Sequence, residues 1–121
     1  MEEDVTSESL RSTEAECAEG RTAPRVSLDD IEANIAEKHF VLGIQAVSAA
    51  GGCSFYASLD TLTLCLIVLR NGFTIIGKSA PASPANFDAM LGRKLAYEDA
   101  VRQIWPLMGY ELRERLAREA A

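Results

Sequence analysis

From Thr61 to Leu69 the chain reads Thr-Leu-Thr-Leu-Cys-Leu-Ile-Val-Leu, and Arg70, Asn71 and Gly72 follow. Thr61, Thr63 and Cys65 alternate with Leu62, Leu64 and Leu66, which is the two-residue period of a strand. Val68 and Leu69 carry the apolar character to the end, so both faces of this strand are expected to be covered. Asn-Gly is the preferred pair for a type I′ turn, which needs positive φ at both central residues. The residues after it, Phe73 to Lys78, should therefore return antiparallel. A lone hairpin is marginal in water, so the rest of the chain has to cover it.

Ser27 and Asp30 form a capping-box-like start for a helix over 28–38, with Leu28, Ile31 and Ile35 on its inner face. Phe40 to Val47 reads as a first strand, broken by Ala49-Ala50-Gly51-Gly52. Cys53 to Tyr56 is either a short continuation or part of a loop. Pro81-Ala82-Ser83-Pro84 stops strand extension. A helix is expected to start around 84–86 and to present Tyr97, Val101, Ile104, Trp105 and Met108 as one apolar face. Pro106 should end or kink it near Ile104, and Gly109 marks a second break before a last helix from Tyr110 to Arg118, with Leu112 and Leu116 inward. These elements predict an α+β fold: a small antiparallel sheet of three or four strands, with an N-terminal helix and two C-terminal helices packed on it.

A chain of 121 residues has room for one core of ordinary size. Residues 1–25 hold seven acids against three bases and few large apolar groups. Such a segment is expected to be a mobile acidic tail, or at most a weak helix, ahead of a single domain over 26–121. The net charge is −6, yet from Arg70 to Arg118 eight bases face five acids. That leaves two readings: an acidic solubilising tail on a near-neutral domain, or a local positive site for a phosphorylated ligand. The overall sign and the lack of a dense basic stripe disfavour duplex DNA. No apolar run is long enough to span a bilayer and the N-terminus starts with Glu2, Glu3 and Asp4, so no membrane partner and a cytoplasmic location in the host are expected.

Catalytic patterns are weak. Cys17, Cys53 and Cys65 follow no metal or redox spacing, and Cys65 reads as a small buried hydrophobe. A single histidine, His39, makes an imidazole metal site implausible. Neither Ser nor Cys has a base placed nearby by spacing, and Glu98-Asp99 suit solvent better than acid–base work. No catalytic, metal or cofactor residues are assigned, and the chain reads as a binder rather than an enzyme. Gly77-Lys78-Ser79-Ala80 is tempting as a phosphate loop but lacks the first glycine of a P-loop, and it reads equally as a strand end. Asn86 is first a helix N-cap, Asp88 a complement to the helix dipole and Phe87 a core residue. A helix start is also an anion site, and Asn86 has an amide to offer a base or ribose. Arg93 and Arg102 are about half a turn apart on a helix, so they cannot meet one ligand within one chain. A symmetric interface between copies could still collect both.

The order Asn71-Gly72-Phe73-Thr74, Gly77-Lys78-Ser79-Ala80, Pro84-Ala85-Asn86-Phe87-Asp88, Gly92-Arg93-Lys94, Ile104-Trp105-Pro106-Leu107 and Gly109-Tyr110 resembles the Gp49-like group of small phage proteins. That group takes in relatives of the N4 Gp49 and Sf6 gene 66 proteins, and the resemblance covers roughly residues 26 to 116. Pro81, where a Cys is common, and Met108, where a Glu is common, depart from the pattern. Some members resemble type 1 Thoeris anti-defence proteins, which act as sponges for the cyclic nucleotide signals of bacterial immunity. The resemblance thus implies a phage anti-defence protein that sequesters a cyclic ADP-ribose-type or cyclic oligonucleotide signal without cleaving it. The alternative is a structural or regulatory phage protein that binds a host protein or nucleic acid. For a sponge, Lys78, Ser79, Asn86, Arg93 and Arg102 would supply the polar contacts and Phe73 or Tyr97 the aromatic face. A homo-oligomer, dimer or higher, is expected, because a small domain with a strand apolar on both faces needs more cover.

Overall fold

The computed structural model describes residues 8–20 and 23–121. Three strands form one antiparallel sheet in the order β1 (Ile35–Leu42), β2 (Thr63–Leu69), β3 (Thr74–Ser79). The helices are α1 (Glu8–Ala18), α2 (Leu28–Ala33), α3 (Gly43–Ala49) and α4 (Ala89–Ala120), with short 3₁₀ turns at Ala57–Leu59 and Pro84–Asn86. The α+β architecture is the one expected, a small antiparallel sheet carried on helices.

The strand pattern decides which side chains meet α4. On β2, Thr63, Cys65, Ile67 and Leu69 are buried, and on β3 so are Ile75 and Gly77. Helix α4 brings Ala96, Tyr97, Ala100, Val101 and Ile104 into the same core. Helix and sheet lie very close at Gly77, where an added Cβ would lie 2.1 Å from the Ala96 carbonyl oxygen and 2.8 Å from the Ala100 Cβ. Gly77 is thus a packing residue within β3 and not part of a phosphate loop. Cys65 is fully buried, as its place in the strand suggested, and loss of hydration pushes its thiol up to about 11. The native protein should therefore let a thiol reagent modify exposed Cys17 and Cys53 while Cys65 reacts only after denaturation. Fast labelling of all three in native buffer would contradict this packing.

The other face of the sheet has less cover than expected. Cross-strand rows there run His39–Leu66–Ile76 and Val41–Leu64–Lys78, and Leu66 is 37% and Ile76 58% exposed. Within one chain the expectation of two covered faces holds for only one.

Several elements sit elsewhere than the sequence suggested. The helix expected over 28–38 stops at Ala33, and the strand expected over 40–47 is β1, five residues earlier, followed by α3. Over 37–42 the side chains alternate between sheet faces, and pairing with β2 uses their backbone groups in a way a helix could not. Helix α3 starts where the Gln45 amide oxygen accepts the Leu42 N–H at 2.8 Å. Residues Cys53 to Tyr56 are loop, with no strand pairing. The hairpin turn is not type I′: only Gly72 has positive φ, at 90°. The Gly72 N–H reaches the Leu69 carbonyl (2.9 Å) and the Leu69 N–H reaches the Phe73 carbonyl (2.8 Å). The loop is thus the three residues Arg70-Asn71-Gly72, a tight turn closed by a left-handed glycine.

The two C-terminal helices are one. Helix α4 runs unbroken for 32 residues with Pro106 inside it. A mid-helix proline gives up one backbone bond and costs about 3 kcal/mol in isolation. Packing on both sides outweighs this cost: Val101 and Ile104 are buried before Pro106, and Met108 packs on the core after it. The Trp105 Nε1–H also donates to the Val26 carbonyl at 3.2 Å. The proline and its partner position Arg102 are both exposed, so the carbonyl that loses its helical bond lies on the open side of the helix. The N-cap is Asp88 rather than Asn86, its carboxylate accepting the Met90 and Leu91 N–H groups.

Part of the acidic segment is helical. In α1, Leu10 enters the core, the Glu14 carboxylate accepts the Leu28 N–H, and Arg11 lies 3.8 Å from Asp29 and 3.6 Å from Glu32. Residues 1–7, the most acidic part of the expected tail, lie outside the described residues.

Candidate functional site

The hairpin turn, α2 and the second half of α4 enclose a groove of about 800 Å³. Its floor and walls are apolar, with Val26, Leu69, Leu107, Met108 and Leu112, and Phe73 stands at the rim. Phe73 is 54% exposed. Its backbone is fixed by an N–H bond to the Asn71 side-chain oxygen at 2.9 Å, so the turn presents the ring to the groove. Three cations line the same groove, Arg25, Arg70 and Arg115. The Arg70 Nε–H is anchored on the Ala33 carbonyl at 3.1 Å, at the C-terminal end of α2 where a cation is favoured.

Among the described residues two acids also line it, Asp30, held in a helix cap, and Glu111, beside the groove's own Arg115. Asp30 closes the capping box of α2: its carboxylate accepts the Ser27 N–H (2.9 Å), and its own N–H donates to the Ser27 hydroxyl (3.0 Å). The Ser27 N–H and hydroxyl hold the Asp30 carboxyl below its ordinary value of 3.8. A lowered carboxyl stabilises the fold above its unfolded value and loses that contribution as pH falls through the lower folded one. Acid melting curves should thus show Asp30→Asn converging on the wild type well below pH 3.8; an unchanged gap there would contradict the cap. Glu111 lies 4.0 Å from Arg115 on an exposed stretch of helix, a contact worth little in water. An aromatic face, several cations and an apolar floor are the parts that hold a base and its phosphates.

Of the seven residues expected to bind ligand, only Phe73 lines this groove. Lys78 and Ser79 are at the opposite end of β3, about 17 Å along the strand from Phe73. Asn86 is exposed in the 3₁₀ turn before α4. Arg93 sits over the Phe40 ring, 5.8 Å from its centre. Tyr97 is 2% exposed, with the Lys38 ammonium 5.0 Å from its ring centre, so its face is closed to a ligand within one chain. Arg102 pairs with Glu98 at 3.8 Å, on another side of α4 from Arg93.

Glu98 and Asp99, read as solvated, are both engaged. Glu98 is buried, and among the described residues its Oε2 has no hydrogen-bond partner. Asp99 accepts the Lys78 N–H at 2.9 Å, and the Gln103 amide donates to the Ile76 carbonyl at 2.8 Å. Both bonds cap outward-facing backbone groups on edge strand β3, which blocks pairing with another strand there. The sequence does not single out the arginines of the groove, because Arg70 lies in the turn and the local pattern at Pro106 separates Arg115 from the rest of α4. Read as one helix, Met108, Glu111, Leu112 and Arg115 recur at spacings of three and four, a stripe that could have revealed the groove wall.

Residues 26–116 match the model of the Phage protein (N4 Gp49/phage Sf6 gene 66) family. The chain belongs to that family. All of the groove from Val26 to Arg115 lies within the matched span, and only Pro24 and Arg25 fall outside it. No match was found among the curated proteins or the solved structures. Among the described residues, no helix is long and apolar enough to cross a membrane, and no group of acids, His and Cys is gathered as for a metal ion.

Proposed function

We propose that this phage protein is an anti-defence sponge, and that the groove beside Phe73 holds a cyclic nucleotide immune signal without cleaving it. The observation that carries the reading is the convergence of an exposed aromatic ring with Arg25, Arg70 and Arg115 over an apolar floor. A cyclic ADP-ribose-type or cyclic oligonucleotide ligand has matching parts: a base to stack, phosphates to pair and ribose edges to bury. Met108, in place of a common Glu, spares the groove a further carboxylate. The single histidine lies 3.0 Å from Glu37 on the open sheet face and does not line the groove, in keeping with binding rather than hydrolysis.

Lys78, Ser79, Asn86, Arg93 and Arg102 enter this reading only through a second copy of the chain, whose surface would complete the site. The partly exposed apolar rows of the sheet favour such a homo-oligomer. The same rows, with Phe55 fully exposed in the loop before β2, also suit the second reading, a host-protein binder. Light scattering at micromolar concentration should report a dimer or larger, and a monomer would remove the shared-site element.

The test is retention and recovery. The protein is incubated with labelled cyclic ADP-ribose or a cyclic oligonucleotide, freed of unbound ligand, heat-denatured, and the released material is identified by mass. Intact ligand supports the sponge, altered ligand indicates an enzyme, and no retention favours the host-protein reading.

A further inference from the structure

Of the three groove arginines, Arg25 alone lies outside the matched family span, and it faces a carboxylate from α1. Glu14 Oε2 stands 3.7 Å from the Arg25 Nη1. Helix α1 has a set position: Leu10 is buried in the core, and Arg11 pairs with Asp29 and Glu32 of α2. The oxygen that faces Arg25 is also the one that accepts the Leu28 N–H at the start of α2. The Glu14 side chain is 18% exposed, against 37% for Arg25.

The two partners of this pair therefore differ in freedom. The bond from Leu28 pins the carboxylate whether or not Arg25 stays, while the contact to Arg25 is longer than a charge-assisted hydrogen bond. A ligand phosphate that draws Arg25 into the groove has to take it from Glu14. It leaves behind a carboxylate that cannot follow and whose charge has lost its partner. Such a part-buried charge costs more than one on the open surface, and that cost comes off the affinity of the ligand. The opposite role, in which Glu14 steadies Arg25 for the ligand, needs a short directional bond, and a 3.7 Å contact is not one.

We propose that Glu14 is a built-in competitor for Arg25, so that α1 holds down the affinity of the groove for phosphate groups. This role rests on the proposed function only as far as a phosphate-bearing ligand in that groove, and not on which base the ligand carries. Both α1 and Arg25 precede residue 26, so the restraint belongs to the N-terminal segment of this chain and not to the span matched to the family.

The test uses inorganic pyrophosphate as the probe. It is titrated at constant ionic strength into the ¹⁵N-labelled full chain and followed at the amides of Arg70, Phe73 and Arg115. Glu14→Gln keeps an oxygen for the Leu28 N–H and removes the charge. It should bind pyrophosphate about fivefold or more tightly than the wild type. Glu19→Gln, which removes the same charge from an exposed position just beyond α1, should stay within about twofold. In an Arg25→Gln background the gain from Glu14→Gln should fall to about twofold or less, because no pair is left to break. In the wild-type chain the Arg25 Nε–H signal should move as pyrophosphate saturates, a reading that needs no variant to fold. Unchanged or weaker binding in Glu14→Gln, the same gain in Glu19→Gln, a gain that survives in Arg25→Gln, or an Arg25 Nε–H signal that stays still would each overturn the proposal. So would an absence of saturable pyrophosphate shifts at those amides. The expected pyrophosphate pattern in a protein that retains no cyclic nucleotide would uphold the role of Glu14 and remove the nucleotide reading alone.

Discussion

Replacing Gly77 with alanine is expected to cost more than about 3 kcal/mol of stability, more than the same change at any other glycine. The added carbon would lie 2.1 Å from the Ala96 carbonyl oxygen and 2.7 Å from the Ala100 nitrogen. Both are backbone atoms of α4, so no rotamer change relieves the overlap. Either the helix lifts from β3, which opens the core around Ile75 and Ile104, or the strand shifts and gives up its pairing with β2. Domains of this size have roughly 5–15 kcal/mol in total, so such a loss lowers the melting temperature by about 10 °C or more. Gly109→Ala is the control: its Cβ meets nothing within 4 Å, and it sits in the interior of α4. There alanine should stabilise by about 0.5–1 kcal/mol. A Gly77→Ala protein melting within about 3 °C of the wild type would show that helix and strand do not approach this closely.

Phe73→Ala and Arg115→Ala should each weaken nucleotide retention far more than they weaken the fold. Stacking of a base on an aromatic ring is worth about 1–3 kcal/mol, and a charge-assisted hydrogen bond to phosphate about 1.5–3 kcal/mol. Either loss is roughly tenfold or more in affinity. Both side chains are exposed, so their stability cost should stay within about 0.5 kcal/mol. Arg102→Ala makes an informative contrast. It leaves the buried Glu98 carboxylate without its ion-pair partner, so it should lower stability while acting on the groove only through a second copy. Calorimetric titration of the three variants separates these effects. Full retention in both Phe73→Ala and Arg115→Ala would leave the groove without support as the binding site.

The sequence carried the antiparallel hairpin, the capping box at Ser27 and Asp30, the buried Cys65 and the apolar face of α4 through Tyr97, Val101 and Ile104. Those features are local: each depends on a period or a cap readable within a few residues. What was misplaced depends on contacts between distant segments. Pro106 reads as a helix stop until Trp105 is seen bonded to Val26, and residues 35–38 read as helix until their partners on β2 are known. Gly77 looked like part of a ligand loop because the nearness of α4 to β3 leaves no trace in the local pattern. The candidate site suffered most, since Arg25, Arg70, Phe73 and Arg115 come together only through the packing of the turn and α2 on α4.

The central claim is best tested by mapping a bound cyclic nucleotide on the ¹⁵N-labelled protein. Titration with cyclic ADP-ribose, or with a cyclic oligonucleotide if that is the ligand retained, should perturb the amides of Asn34, Arg70, Phe73, Leu112 and Arg115 together and to saturation. Saturable shifts confined to the Lys78, Asn86 and Arg93 end of the molecule, or no saturable shifts with either ligand class, would contradict the assignment of the groove.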